Sequence, residues 1–299
     1  MQVLSEDQVR SVLTYEALLP AVERALIDLS SGRIQQPVRT ILSIPEHAGR
    51  FGLMPAIDGE YIGVKLVSVY EGNRTLPTHQ AVIQLLSART GEPLVAMDGR
   101  LITEMRTAVV SALATHMLAP PNAQVLAILG SGVQARSHLR ALRLVHSFSE
   151  IRVWSGTPQN ARRFADEFGV TACDTAESAT RGADVVLSVS SVSEPLVRGA
   201  WLGERTLVCA VGAVGPHMRE LDDEAMRAAI VVESREAAQR ESGDLLSSGQ
   251  TVYAELGELL AGSKPKPFGR VVFKSLGVAA EDLASAALVW KIWQEREGK

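Results

Sequence analysis

Lys65, Arg106 and Arg39 are the residues whose types and places in the chain could do binding chemistry, and that chemistry is capture of a small carboxylate. Lys65 lies inside the strand pattern YIGVKLVSVY with Gly63 and Val67 on the same face. An ammonium there is costly unless a partner or a cavity receives it. Arg106 follows Thr103, which suits a helix N-cap. A guanidinium in that first turn opposes the helix dipole, a cost that a bound anion reverses. Arg39 comes after Gln36-Pro37-Val38 at the entrance to a first strand. Three such cations can converge on one carboxylate, with arginine supplying a bidentate fork. Each also has a plain alternative: a lysine snorkelling at a sheet edge, an Arg106–Glu104 surface pair, an ordinary exposed arginine. His79, in Pro77-Thr78-His79-Gln80, suits a ligand contact and a structural hydrogen bond equally well.

A second constellation spans Gln124–Ser137, where the apolar run QVLAILG leads through Ser131-Gly132-Val133-Gln134-Ala135 into helical spacing. Gly130, Gly132 and Ala135 fit the Gly-x-Gly-x-x-Gly/Ala dinucleotide fingerprint. Gly130 permits the turn, Gly132 lets backbone approach a pyrophosphate, and Ala135 lets helix and strand pack closely. The anion would sit on free N–H groups at the helix start. The bland reading is a strand–turn–helix that binds nothing, and the repeating strand and helix pattern that follows argues against it.

The elements that must position these groups fall into two patterns. Residues 5–31 read as helical, with Ser5 or Thr14 as caps and Leu18, Val22, Leu26 and Leu29 on one face. From Ile34 to Leu101 strand segments alternate with turns, predicting a mostly antiparallel sheet, with Asp98-Gly99 as a hairpin turn. A helix capped by Thr103 runs to about Leu118, and Pro120-Pro121 marks a boundary. Strands follow near 124–129, 151–155, 170–173, 184–189, 206–211 and 229–233. A short helix at Glu255–Leu260, a strand and turn at VVFKSLG and an amphipathic helix at Ala280–Gln294 close the chain.

Composition bounds the rest. The 299 residues are 46% hydrophobic with a net charge of −4, which gives no reason to expect nucleic acid or an acidic membrane as partner. No run reaches transmembrane length, and MQVLSEDQVR lacks a secretory pattern. Cys173 and Cys209 lie far apart in predicted strands, favouring free thiols and a cytoplasmic setting. No metal site is expected, since HExxH and Cys/His clusters are absent, and so is a nucleophile elbow.

Read in order, QPVRT (36–40), LMPA (53–56), VKLVSVYE (64–71), MDGRLIT (97–103), RTAVVSALAT (106–115), ILGSGVQA (128–135), ADVVLSVS (183–190) and VGAVGPHMRELDDEAM (211–226) form a specific set. With ESGDLLSSG, AELGELL and VFKSLGVAAEDLASA, the chain resembles the ornithine cyclodeaminase/μ-crystallin family over nearly its full length. The VFKSLG and RELDDEAM wording is nearer to the μ-crystallin, ketimine reductase side. The resemblance implies an α/β fold: a Rossmann dinucleotide-binding domain at 120–279 inserted into a discontinuous α+β substrate and dimerisation domain at 1–119 and 280–299. It implies a homodimer that uses NADPH, or NADH, to reduce the C=N bond of piperideine-2-carboxylate or pyrroline-2-carboxylate.

By position, Arg39, Lys65 and Arg106 correspond to the family's substrate-carboxylate site. Lys65 would orient the imine and supply the proton through water. His79 is placed at substrate or nicotinamide. Ser131, Val133, Gln134, Ser155, Gly156, Thr157, Asn160, Ser190, Ser191, Val211, Glu241 and Ser275 join Gly130 and Gly132 as implied cofactor contacts. Gly156 departs from an arginine of the μ-crystallin pattern, and Val214 from an aspartate of the cyclodeaminases. A cyclodeaminase, an amino-acid dehydrogenase, and a protein that binds nucleotide and a small ligand without turnover are the alternatives.

Overall fold

Ser5 and Thr14 each begin a helix. In the computed structural model, which describes residues 1–298, a short strand β1 (Gln2–Leu4) precedes α1 (Glu6–Val12) and α2 (Tyr15–Ser30). Ser5 Oγ accepts from Gln8 N–H, Gln8 Oε1 accepts from Ser5 N–H, and Thr14 Oγ1 accepts from Ala17 N–H. The expected sheet forms from β2 (Thr40–Ile44), β3 (Gly49–Ile57), β4 (Tyr61–Tyr70), β5 (His79–Ser87) and β6 (Pro93–Asp98), each antiparallel to the next. β1 adds to β6 in parallel at the edge.

Helix α3 (Arg100–Leu118) departs from the expected start. Asp98 Oδ1 accepts from the N–H groups of Arg100 and Leu101, so the helix begins there. Asp98-Gly99 is therefore a helix entry and not a hairpin turn. Thr103 lies inside the helix, its hydroxyl donating to Gly99 O at 2.7 Å, and Arg106 is correspondingly beyond the first turn. Arg106 therefore does not oppose the positive end of the helix dipole.

The chain divides into two units, 1–109 with 277–299, and 110–276. The division falls inside α3, upstream of Pro120-Pro121. In the first unit the last helix, α10 (Ala279–Arg296), packs on α2 and on β3, β4 and β5. Gly63 makes this approach possible, because a Cβ there would lie 2.8 Å from Leu283 Cδ1. The helix is buried along most of Ala279–Trp290, more than an amphipathic pattern requires.

The second unit is an eight-stranded parallel sheet of β7 (Val125–Leu129), β8 (Glu150–Trp154), β9 (Thr171–Ala172), β10 (Val185–Ser188), β11 (Leu207–Ala210), β12 (Ala229–Val232), β13 (Val252–Glu255) and β14 (Val271–Lys274). Its order, β13-β12-β14-β11-β10-β7-β8-β9, places β8 and β10 on opposite sides of β7. That is the strand-order reversal at which open parallel sheets bind ligands. Helices α4 (Val133–Val145), α5 (Pro158–Phe168), α6 (Ala176–Thr180), α7 (Arg235–Glu241), α8 (Gly243–Ser248) and α9 (Leu256–Leu260) fall between strands. β13 is a strand that the sequence pattern did not reveal.

RELDDEAM (219–226) forms turns and no helix. Asp222 Oδ1 accepts from Gly199 and Ala225 N–H. Cys173 and Cys209 are free thiols, and burial pushes Cys209 up to about 12. Among the described residues no helix is long and apolar enough to cross a membrane, and no three His, Cys, Asp or Glu are grouped to hold a metal ion.

Candidate functional site

Lys65 is fixed by β4, whose register sets it between Met54 and Ile83 on the face that α10 covers. The start of α10 brings up two carboxylates, Glu281 and Asp282. Lys65 Nζ lies 2.7 Å from Asp282 Oδ2, and both side chains are 2% exposed. Arg106, from α3, reaches the same two acids: Nη1 is 2.6 Å from Glu281 Oε2 and Nε 3.0 Å from Asp282 Oδ1. Arg39 Nη2 donates to Gly277 O at 2.5 Å. Gly277 has φ +70°, and a Cβ there would lie 2.4 Å from Arg106 Nη1, so only glycine lets the guanidinium lie against this turn. The structure thus gathers all three predicted cations around the Gly277–Asp282 segment.

The electrostatics follow from burial. Desolvation pushes the Lys65 ammonium down to about 8, with Arg106 and Arg39 acting in the same direction and Asp282 opposing them. Burial also works against ionised Asp282, but Arg106 and Lys65 outweigh it and hold that carboxyl below its ordinary value. Three cations face two carboxylates, leaving one net positive charge when Lys65 is protonated. A single monoanion balances it.

Glu281 and Asp282 are the part of this cluster that sequence reasoning missed. Two acids in the first turn of a helix look like ordinary dipole chemistry. The available signal was their setting in VAAEDLASA, where small apolar neighbours mark a buried turn and a buried acid demands a cation. His79 is exposed at the start of β5, its Nδ1 3.1 Å from Thr78 Oγ1, and it forms none of the cluster's ion pairs.

In the second unit the remaining candidates collect at the carboxyl ends of the parallel strands. Gly130 follows β7 with φ +131° and donates to Trp154 O at 2.8 Å. Gly132 is the N-cap of α4 and offers no side-chain cap to its first N–H groups. The place of a Gly132 Cβ is open for 4 Å, and Ala135 is fully buried. Gln134 Oε1 is buried without a hydrogen-bond partner among the described residues. An uncapped helix start and an open approach over Gly132 fit a dinucleotide pyrophosphate, and the unpartnered Gln134 oxygen fits a hydroxyl or amide donor beside it.

Ser131 Oγ donates to Ser155 Oγ at 3.0 Å, linking the ends of β7 and β8. Gly156 and Thr157 are exposed beside them, Val133 is exposed at the head of α4, and Asn160 accepts from Arg163 in the first turn of α5. Ser190 Oγ donates to Leu129 O, while Ser191 is exposed. Val211 follows β11 and Glu241 ends α7. Ser275 is buried after β14, its hydroxyl donating to Glu233 Oε1 at 2.6 Å. Arg136 is occupied by Glu167 and by the carbonyls of Ser131 and Gly132.

These two sets of residues match known proteins as one chain. The family model of the ornithine cyclodeaminase/mu-crystallin family matches residues 1–297. The chain belongs to that family. It is 45% identical to ketimine reductase mu-crystallin of Mus musculus, over 97% of this chain and 96% of the relative. Among solved structures, it superposes on Thermococcus litoralis Δ1-pyrroline-2-carboxylate reductase, determined with NADH and L-proline, with a TM-score of 0.94 at 34% identity, covering 100% and 98% of the two chains. An archaeal alanine dehydrogenase dimer with bound NAD gives 0.93 at 30% identity over 99% and 97%.

Proposed function

We propose that this chain reduces the C=N bond of cyclic ketimine carboxylates, piperideine-2-carboxylate or pyrroline-2-carboxylate, to cyclic amino acids. The carrying observation is the cluster of buried Lys65 and Arg106 with half-buried Arg39 over Glu281 and Asp282, whose one excess positive charge suits a single carboxylate. Arg39 and Arg106 hold that carboxylate. Lys65 orients the imine nitrogen and delivers a proton to it, and its lowered pKa suits an ammonium that must give up a proton and recover it. His79, at the start of β5, contacts the substrate or the nicotinamide in this reading. When bound, the reduced nicotinamide supplies the hydride that adds to the imine carbon. Gly130, Ser131, Gly132, Val133 and Gln134 hold the pyrophosphate, and Ser155, Gly156, Thr157 and Asn160 face the adenine ribose. Ser190, Ser191, Val211, Glu241 and Ser275 line the nicotinamide half.

NADPH is the preferred cofactor in this reading. In NAD-type folds an acid about 20 residues after the glycine turn binds the ribose 2′-OH, but β8 leads into Ser155-Gly156-Thr157 without one. Arg163, bonded to Asn160, is a nearby cation for a 2′-phosphate. The chain does not cyclise ornithine efficiently. Val214, 40% exposed on the loop after β11, has no group that could take a proton from the attacking amine, and such a base commonly contributes ~10²–10⁴-fold. One assay series tests both statements. Cyclic imine with each reduced dinucleotide should give turnover, with higher kcat/KM for NADPH, while ornithine with NAD⁺ gives little proline. Ornithine turnover equal to imine reduction would reject the reductase assignment, and a preference for NADH would reject the cofactor choice.

A homodimer in the cytoplasm completes the proposal. The six-stranded sheet leaves Ile41, Leu42 and Val82 about half exposed, apolar area suited to a second copy. Sedimentation should give twice the chain mass, and a monomer at working concentration would contradict it.

A further inference from the structure

We propose that Glu220, Lys274 and Asp244 are positioning residues that set the loop 211–215, and through it the nicotinamide half of the cofactor site; this rests on the reaction proposed above. All three side chains are buried in the second unit, 1% exposed or less. Lys274 Nζ lies 2.6 Å from Glu220 Oε1 and 3.0 Å from Asp244 Oδ2, and donates to Ala213 O at 2.7 Å. Glu220 accepts from Gly212 N–H and Ala213 N–H, both at 3.1 Å. Asp244 Oδ1 in turn accepts from the N–H groups of Glu220 and Leu221, each at 2.9 Å. Burial works against the Lys274 ammonium, but Glu220 and Asp244 outweigh it and raise its pKa above the ordinary value.

The loop they hold has no strand or helix partner of its own for Gly212 and Ala213, so these backbone groups depend on side chains. Ionic groups are a poor means of stabilising an interior, since apolar replacements of buried ion pairs are often as stable. What they supply here is placement. The loop continues β11 at the carboxyl end of the sheet, where ligands of parallel sheets bind. Its front is fixed as tightly as its back. A Cβ on Gly212 would fall 2.0 Å from Ser190 O, Gly215 N–H donates to Glu241 O at 3.0 Å, and Gly243 N–H donates to Gly215 O at 3.1 Å. Val211, Ser190, Glu241 and Ser275, which adjoins Lys274, are all assigned to the cofactor above. The charged trio therefore ties together the segments of Val211, Glu241 and Ser275, Ser190 packs against Gly212 of the same loop, and Val214 projects from it.

Glu220→Gln keeps the shape and an acceptor but removes the charge that Lys274 binds. Expected is a folded protein whose affinity for reduced dinucleotide changes less than about threefold, while kcat for the imine falls roughly 10²-fold, the scale of a small misplacement of reacting groups. The primary isotope effect on kcat with 4-deuterated cofactor rises, because hydride transfer becomes slower relative to release. In the ligand-free protein, hydrogen exchange at Gly212 and Ala213 speeds up while Val125–Leu129 keeps its protection. A folded variant with a lower melting temperature but unchanged kcat, isotope effect and loop exchange would overturn the proposal. Should Glu220→Gln not fold, Asp244→Asn is read in the same way, since it retains the Oδ1 acceptor. Wild-type protein that turns over no imine would contradict the reaction, and loop exchange with the emission of bound reduced nicotinamide would still decide the network.

Discussion

Arg106→Ala removes imine reduction and much of the stability of the first unit. Glu281 and Asp282 both lose the guanidinium that they bind inside the fold, and stripping one member from a buried ion pair costs about 3–5 kcal/mol. The substrate carboxylate loses a charged partner as well, worth about 1.5–3 kcal/mol or roughly 10–10²-fold in KM. Arg39→Ala separates the two effects. Arg39 is only half-buried and bonds a carbonyl rather than a buried acid, so its variant should melt close to the wild type and still show the rise in KM. Thermal melting and steady-state kinetics on both variants check this. Unchanged KM in the folded Arg39 variant would remove it from the carboxylate clamp.

Lys65→Met lowers kcat on the order of 10²–10⁴-fold, the usual contribution of a positioned proton donor. The variant also tests the proton's origin. The groups facing Lys65 are Asp282, Arg106 and Arg39, with Glu281 across Arg106 and His79 farther along the sheet. Burial leads the downward shift to about 8. Because the ammonium is the working form, the wild-type rate should be level at lower pH and fall as pH rises through about 8. The residual rate of the methionine variant should lack that limb. A limb of the same position in both proteins would assign it to another group.

The fingerprint at Gly130, Gly132 and Ala135 was legible in the sequence because strand, turn and helix start are local and each glycine has one evident use. Lys65 was legible for the opposite reason: a cation in an apolar strand is an anomaly that calls for partners. The identity of those partners was not legible. Asp282 lies far along the chain, and only the packing of α10 on β4 brings it to Lys65 and, with Glu281, to Arg106. Asp98-Gly99 misled because the same dipeptide suits a hairpin turn and a helix N-cap; the Asp98 bonds to Arg100 and Leu101 decide for the cap. RELDDEAM holds acids of the kind that open a helix, yet it forms turns: Glu220 is taken by Gly212 and Ala213 N–H and by Lys274, and Asp222 by Gly199 and Ala225 N–H. β1 and β13 are short strands held by parallel pairing to distant segments, which leaves no periodic trace.

The central proposal is that Arg39, Lys65 and Arg106 hold the carboxylate of a cyclic imine, and comparing pyrroline-2-carboxylate with unsubstituted pyrroline tests it most directly. The two rings differ only in the group that the arginines are assigned to hold. With reduced dinucleotide in excess, the account predicts kcat/KM at least ~10²-fold higher for the carboxylated ring, as expected for loss of charged hydrogen bonds. Equal values for the two imines, or reduction of neither, would contradict it.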